Sequence, residues 1–325
     1  MKAAVITKPG GPDVLAIEER PVPVPQRGQI LVRVHASALN RADLLQREGH
    51  YPAPPGWPAD IPGMEFAGEV AQLGDGVSRW RAGDRVFGIV GGGGNAEFLT
   101  TDAESVAQIP DRLSWTEAAA VPEAFITAYD ALVTQAGVAT GETVLIHAVG
   151  SGVGLATTQV ARAWRAIPYG TARTADKIER ARAYGLEEGI VVGDDVDVIG
   201  RVMGGRSVDV TIDLVGGAYL PASIRVAAPH GRIMLVGTMA GREATLPLGL
   251  ILGKRLTLRG TILRARSLEE KRAVTAAFER DVVPLFASGV LRATVDSTFD
   301  LADIRDAHTK LGGNKTFGKI VLRVV

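Results

Sequence analysis

Two stretches of this chain crowd together residue types that could do chemistry. The first is NRADLLQREGHY, residues 40–51. Asn40, Arg41, Asp43, Gln46, Arg47, Glu48, His50 and Tyr51 follow directly on an apolar strand, and prolines at 52, 54 and 55 close the segment. Polar residues at that density form either a solvated helix face or the wall of a pocket. The residues alone leave both readings open.

The second is TVLIHAVGSGVGLATTQVARAW, residues 143–164. A buried strand runs into a Gly-rich turn and out into a helix. Such a turn aims backbone N–H groups and a helix N-terminus at a pyrophosphate, where the helix dipole favours negative charge. Gly150, Gly152 and Gly154 are spaced by two, so no literal G-x-G-x-x-G is present. A tight turn with no ligand is the alternative. Anchored on Gly154, Ser151 falls where backbone approaches phosphate, and its hydroxyl could donate there.

An NAD site wants an acid about twenty residues past the glycines, to bind the ribose 2′-hydroxyl. GTARTADK, residues 170–177, offers Arg173 at a strand end and Lys177 one turn into the next helix; Asp176 is the nearby acid. Two cations suit a 2′-phosphate, so NADP is favoured. The competing reading is a pair of surface charges at a helix start.

These residues need a scaffold. Up to about residue 110 the chain reads as short strands: MKAAVITK, ILVRVHA with apolar residues alternating, MEFAGEVAQLG, RVFGIV and AEFLTTD. They suggest a small barrel or sandwich. GGGGN at 91–95 reads as a flexible turn, with close approach of its backbone to a ligand as the alternative. From Ser114, with Glu117 three residues on, SWTEAAAVPEAFITAYDALVTQAGV reads as helical. Strands expected at 142–148, 166–173, 188–194, 208–216, 231–237 and 255–263 then alternate with helices. That is the pattern of a doubly wound parallel sheet. The end reads as a helix over 267–289, a segment at 296–313 and a last strand GKIVLRVV, which return to the first domain.

Composition narrows the function classes. Lys plus Arg equals Asp plus Glu at 36 each, and 46% of the 325 residues are hydrophobic. A balanced chain carries no electrostatic footprint for nucleic acid or an anionic membrane. No apolar run approaches the ~18 residues of a membrane span. The first residues do not read as a signal or transit peptide, and a cytoplasmic protein is expected. There is no cysteine, and the five histidines show no ligand spacing. Disulfides, thiolate nucleophiles and cysteine-held metals are excluded.

Four stretches, SALNRADLLQREGHYPAPPG, GMEFAGEV, AAAVPEAFITAYDAL and VLIHAVGSGVG, together with LRARS and GKIVL, resemble the zinc-less, zeta-crystallin-like quinone oxidoreductases of the medium-chain dehydrogenase/reductase superfamily. Within that family they most resemble the tumour-suppressor-induced branch. The likeness runs over essentially the whole chain. It implies an α/β protein: a β-rich GroES-like catalytic domain from residues 1–122 and 264–325, and a doubly wound Rossmann NADP-binding domain from 123–263. In zinc-dependent relatives the region of LNRAD carries a cysteine ligand, and a Gly-His-Glu segment carries another. Here Met64 holds the histidine position. Glu65 persists and is expected in a buried ion pair or hydrogen bond.

The resemblance further implies that Asn40 and Tyr51 face the nicotinamide and that Thr127 lies near it. It places Ser151, Gly152 and Val153 at the pyrophosphate, Lys177 at the 2′-phosphate, and Gly237, Met239 and Leu263 along the cofactor channel. Val192 stands where relatives have a tyrosine near the adenine phosphate, so one expected contact is missing, and Arg173 is expected to replace it. With Asn40 and Tyr51 assigned to the pocket, Arg41, Gln46, Arg47 and Glu48 are expected on a solvated or ion-paired helix face. The expected activity is metal-free reduction of a quinone by NADPH, by hydride or one-electron transfer, with Tyr51 and Asn40 at the reacting centre. Reduction of an enone or enoyl group is the first alternative. An NADPH-binding sensor or crystallin-like protein is the second. The strand LTLRGTIL, exposed at a sheet edge, implies a homodimer.

Overall fold

The alternation in ILVRVHA becomes the long strand Gln29–Ala38, with Ile30, Val32 and Val34 wholly buried and Arg33 in solvent. This strand organises the first of two units in a computed structural model that describes residues 1–193 and 195–325. The first unit is Met1–Ile126 with Leu263–Val325, and the second is Thr127–Ile262. The division was expected at 122/123 and 263/264. It falls later at the first crossing because the opening turn of the helix Pro122–Tyr129 packs into the first unit: the Glu123 N–H donates to Glu65, and Phe125 meets the Phe286 ring edge-on at 4.7 Å.

The first unit is built on a seven-stranded sheet. Its path runs Val295–Asp300, Lys319–Arg323, Gln29–Ala38, Glu65–Leu73, Arg85–Ile89 and Val106–Gln108, with Phe98–Asp102 also paired to Gln29–Ala38. The C-terminal strands therefore enter the sheet begun by the N-terminal third. Its core gathers Ile30, Val32, Phe66, Val86, Leu99 and Val106. The second unit is a six-stranded parallel sheet in the order Glu188–Val191, Ile167–Ala172, Thr143–Ile146, Val208–Asp213, Ala227–Leu235, Thr257–Gly260. That is the doubly wound arrangement. The last residue of the strand expected over 188–194 lies outside the described residues.

Two long helices read from the sequence are broken. The stretch from Ser114 forms Trp115–Ala119, then Pro122–Tyr129, then a wider turn over Asp130–Gln135. Pro122 lacks the N–H that an uninterrupted helix needs there. The stretch 267–289 forms Leu268–Asp281 and Val283–Ala287, again divided just before a proline.

GGGGN is not a flexible turn. Gly91 to Asn95 are all buried. A Cβ on Gly94 would sit 2.8 Å from the Glu65 carbonyl oxygen and 3.0 Å from the Gly63 backbone. Gly92 and Gly94 lie against backbone, and Gly91 lies against the Trp57 ring. We expect Gly94→Ala to destabilise the protein by about 1–3 kcal/mol, as overpacking does. Gly249→Ala lies on the exposed helix Leu248–Lys254, where a Cβ meets nothing within 4 Å; it should stabilise by about 0.4–1 kcal/mol. Urea midpoints of the two variants check both signs.

Candidate functional site

In the first unit the ammonium of Lys319 joins three segments. It donates to the Leu39 carbonyl at 2.9 Å and to Asn40 Oδ1 at 2.5 Å, and pairs with Glu65 Oε1 at 2.6 Å. All three of its protons are thereby engaged. Asn40 Nδ2 donates to the same Glu65 oxygen at 2.9 Å, and Glu65 Oε2 accepts the Glu123 N–H at 2.8 Å. Glu65 is wholly buried and Lys319 nearly so. A buried carboxylate is tolerated only when paired and hydrogen-bonded, and this one is both. The expectation of a buried ion pair at Glu65 is met, with a partner the sequence reading did not name. A lysine inside the apolar run GKIVL was the available signal.

Asn40 stands before the helix Arg41–Arg47. Its backbone N–H donates to Asp43 Oδ2 at 2.7 Å, and Asp43 Oδ1 accepts the Gly63 N–H at 3.0 Å. Burial nonetheless pushes the Asp43 carboxyl up to about 6. Asn-x-x-Asp at a helix start was a legible spacing for this contact. The amide of Asn40 is held at both ends, by Lys319 and Glu65, so it acts as a fixed wall.

Of the four residues expected on a solvated or ion-paired face, Gln46 departs from it, and Arg47 keeps an ion pair while buried. Gln46 and Arg47 are buried, while Glu48 is exposed and Arg41 partly so. Arg47 donates to the Gly10 carbonyl at 2.9 Å, meets His308 Nδ1 at 3.3 Å and pairs with Glu48 at 2.6 Å. Gln46 is drawn in by Arg264, which donates to Gln46 Oε1 at 2.6 Å, to the Gly91 carbonyl at 2.6 Å and to the Tyr51 carbonyl at 3.2 Å. The Arg264 guanidinium lies 5.0 Å from the centre of the Tyr51 ring. Arg264 thus fixes the Tyr51 loop by backbone and ring together. The sequence reading missed it, and nothing local distinguishes Arg264 from Arg266. The Tyr51 side chain is half-buried, and its hydroxyl has no hydrogen-bond partner among the described residues. Burial pushes this phenol up, so it stays protonated and can donate.

Glu123 lies beside Glu65 at the start of the helix Pro122–Tyr129. Its carboxyl has no hydrogen bond or ion pair among the described residues. Burial and then the neighbouring Glu65 push it up to about 8. One turn further along the helix, Thr127 is buried and its hydroxyl is unpartnered among the described residues.

In the second unit the Gly-rich turn ends at Ser151, whose Oγ caps the helix Gly152–Ala163 by accepting the Gly154 N–H at 3.1 Å. The Ser151 N–H is already bonded to the Ala148 carbonyl at 2.9 Å. Its hydroxyl proton, and not its backbone, is therefore what remains for a ligand. The N–H groups of Gly152 and Val153 have no acceptor among the described residues, as the first turn of a helix requires. Gly154 is needed for contact: a Cβ there would be 2.5 Å from the Ala148 oxygen. The aliphatic stem of Lys177 lies across Gly150, where a Cβ would meet it at 3.0 Å, so Lys177 and the turn are neighbours. Arg173 is exposed just past the strand Ile167–Ala172.

Ser151, Gly152, Val153 and Lys177 are thus brought together. Val192 is wholly inside an apolar cluster with Ile190 and Ile199 and offers no polar contact. Gly237 lies close under the Leu214 carbonyl, Met239 is exposed, and Leu263 is half-buried in the first unit. No group of three His, Asp or Glu side chains able to hold a metal occurs among the described residues, and no helix there is long and apolar enough to cross a membrane.

A family model described as alcohol dehydrogenase GroES-like domain matches residues 26–111, and one described as zinc-binding dehydrogenase matches residues 152–279. The quinone oxidoreductase-like protein 2 of Bos taurus is 33% identical over 312 residues, which is 95% of this chain and 88% of that protein. The Homo sapiens quinone oxidoreductase is 30% identical over 327 residues, covering 99% and 97% of the two chains. The crystal structure of Escherichia coli quinone oxidoreductase complexed with NADPH is similar with a TM-score of 0.89, at 29% identity and 100% coverage of both chains.

Lys319→Met leaves Glu65 buried without its counter-charge. We expect a loss of about 3–5 kcal/mol, the usual result of breaking a buried pair. Lys319→Met with Glu65→Gln should recover much of it, because the orphaned charge is gone. Chemical denaturation of the wild type and both variants measures the difference.

Proposed function

The chain belongs to the zeta-crystallin-like quinone oxidoreductase family of the medium-chain dehydrogenase/reductase superfamily, oxidoreductases that use a nicotinamide cofactor on a small molecule, and from that premise we propose that it is a zinc-independent NADPH:quinone oxidoreductase. The observation that carries the cofactor half is the capped helix start at Ser151 with Lys177 laid across Gly150. Gly152 and Val153 offer N–H groups to the pyrophosphate, and Ser151 offers its hydroxyl proton. Arg173 and Lys177 meet the 2′-phosphate, which removes the need for a polar residue at position 192. The unpartnered Thr127 hydroxyl fits the nicotinamide carboxamide, and Gly237, Met239 and Leu263 line the cofactor's path.

Bound NADPH supplies a hydride or its electrons. The chain's own residues must then exclude water, hold the acceptor and supply charge stabilisation. A quinone suits a site of this composition. It accepts reducing equivalents directly, and the product is a stabilised aromatic oxyanion, so positioning supplies most of the catalysis. Tyr51 keeps its phenol proton and donates it as a hydrogen bond to the oxygen that gains charge. Asn40, held by Lys319 and Glu65, keeps the wall rigid. Zinc is not required in this reading: the chain has no cysteine, Met64 occupies the histidine position, and both oxygens of Glu65 are engaged. Reduction of an enone or enoyl group is the second reading, favoured by a protonated carboxyl at Glu123. A second copy of the chain pairs along the edge strand Thr257–Gly260, which is fully exposed and flanked by exposed Leu248, Leu252 and Ile262.

Arg173→Ala with Lys177→Met, which keeps the stem over Gly150, should weaken NADPH binding about ten- to a hundredfold, each charged hydrogen bond being worth roughly 1.5–3 kcal/mol before solvent screening. NADH binding should hardly change. Equal losses for both cofactors in a fluorescence titration would show that the pair does not read the 2′-phosphate.

With NADPH saturating, a panel of 1,2-quinones, 1,4-quinones, enones and enoyl thioesters should show quinones turned over fastest, at a rate unaffected by chelators. Tyr51→Phe should lower kcat roughly tenfold or more, since one donor in a dry site is worth up to a few kcal/mol, and leave NADPH affinity intact. A wild-type rate in Tyr51→Phe would show that the hydroxyl has no catalytic role. Faster turnover of enones would reverse the order of the two readings.

A further inference from the structure

The cluster around Glu65 holds three carboxyl groups, and two of them are fully used. Asp43 accepts two backbone N–H groups, from Asn40 and Gly63. Glu65 accepts from Lys319, Asn40 and the Glu123 backbone. The third, on Glu123, has no donor among the described residues, and the residue as a whole is partly exposed. Four ionisable groups act on it, each from a different segment: Glu65 on the strand Glu65–Leu73, Lys319 on the strand Lys319–Arg323, Asp43 on the helix Arg41–Arg47, and Arg264. The Lys319 charge is matched by Glu65 at 2.6 Å. Arg264 is turned to carbonyl and amide oxygens. A negative charge on Glu123 would therefore add to Glu65 with no cation of its own, and the carboxyl holds its proton instead.

We propose that Glu123 is the acid of the first unit's site, delivering the proton that reduction of the substrate consumes. The inference rests on the reading of this chain as an NADPH-dependent reductase. The balance is simple. A quinone that takes up a hydride is left as a hydroquinone monoanion; one O–H bond remains to be formed, and the proton for it leaves the Glu123 carboxyl. The resulting carboxylate is reprotonated from solvent. Tyr51, whose phenol burial keeps protonated, donates a hydrogen bond to the same oxygen and keeps its own proton. The same acid would serve an enone, whose reduced form must be protonated before it can leave.

The sign of the pH dependence follows. A carboxyl that titrates at about 8 is protonated, and able to donate, below that pH. Turnover limited by proton delivery is therefore present below pH 8 and lost as pH rises through it. The test uses the full-length protein with NADPH and the best quinone of the panel. Glu123→Gln keeps the backbone N–H that Glu65 accepts and removes the acid. Wild type should lose kcat above pH 8 and show a solvent isotope effect. Glu123→Gln should be slower by about tenfold or more, general acids contributing roughly 10²–10⁴-fold, with no limb near pH 8 and unchanged NADPH affinity. Infrared difference spectra give a readout independent of turnover: a protonated carboxyl band in the wild type at pH 7, lost on titration through pH 8 and absent from Glu123→Gln. Absence of that band from the wild type overturns the proposal. So does a pH limb that survives in Glu123→Gln, even while quinone turnover upholds the reductase reading. A wild type that binds NADPH but reduces neither quinone nor enone overturns the reductase reading, and the acid role falls with it.

Discussion

The polar cluster around Asn40 and Glu65 in the first unit depends on one buried ammonium. Lys319 comes from the C-terminal end of the chain, yet its three protons hold the end of the strand that begins the sheet, the residue that starts the next helix, and the carboxylate of a third segment. Taking an ammonium and a carboxylate out of water costs several kcal/mol each, and the contact returns that only when every donor and acceptor is matched. Here they are matched, so the geometry around Asn40 has little freedom. Replacing the pair by apolar groups could give a fold of equal stability. It would not give a polar wall fixed by atoms from three places.

The same matching explains the contrast among the three carboxyl groups. All three are desolvated or buried in one cluster, but the number of donors turned toward each differs. Glu65 has a cation and two N–H donors. Asp43 has backbone N–H donors only, and its carboxyl rises to about 6. Glu123 has none, and rises to about 8. Burial is the leading cause at Asp43 and Glu123, and the local hydrogen bonds decide how far each carboxyl moves. Asp43 and Glu123, two acids of nearly equal intrinsic strength, thereby come to lie on opposite sides of neutrality.

The second unit works by a different economy of contacts. Its turn is made of backbone, and its selectivity lies in what is left out. Gly154 has no Cβ where the Ala148 oxygen must come close, and Gly150 has none where the Lys177 stem must pass. Ser151 uses its oxygen as the helix cap and so keeps its proton. What remains unsatisfied is a set of donors at the positive end of a helix dipole, which is the condition for holding an anion.

Much of this was legible in the linear sequence. Apolar alternation and turn residues gave the two kinds of sheet, because side-chain period is a local property of each strand. The order strand, Gly-rich turn, helix located the capped turn at Ser151, because all of its atoms come from one continuous segment. The absence of cysteine and the presence of Met64 are facts of composition. Tertiary structure alone decided which charges are inside. Gln46 and Arg47 look like any solvated helix face until Arg264, over two hundred residues away, and His308 bring them in. GGGGN looks like a flexible loop until backbone from Gly63 and Glu65 closes on it. Glu123 looks like an ordinary acid in a helix's first turn until Glu65 and Lys319 arrive with their valences filled. Burial and charge pairing depend on partners distant along the chain, and no local window of residues contains them.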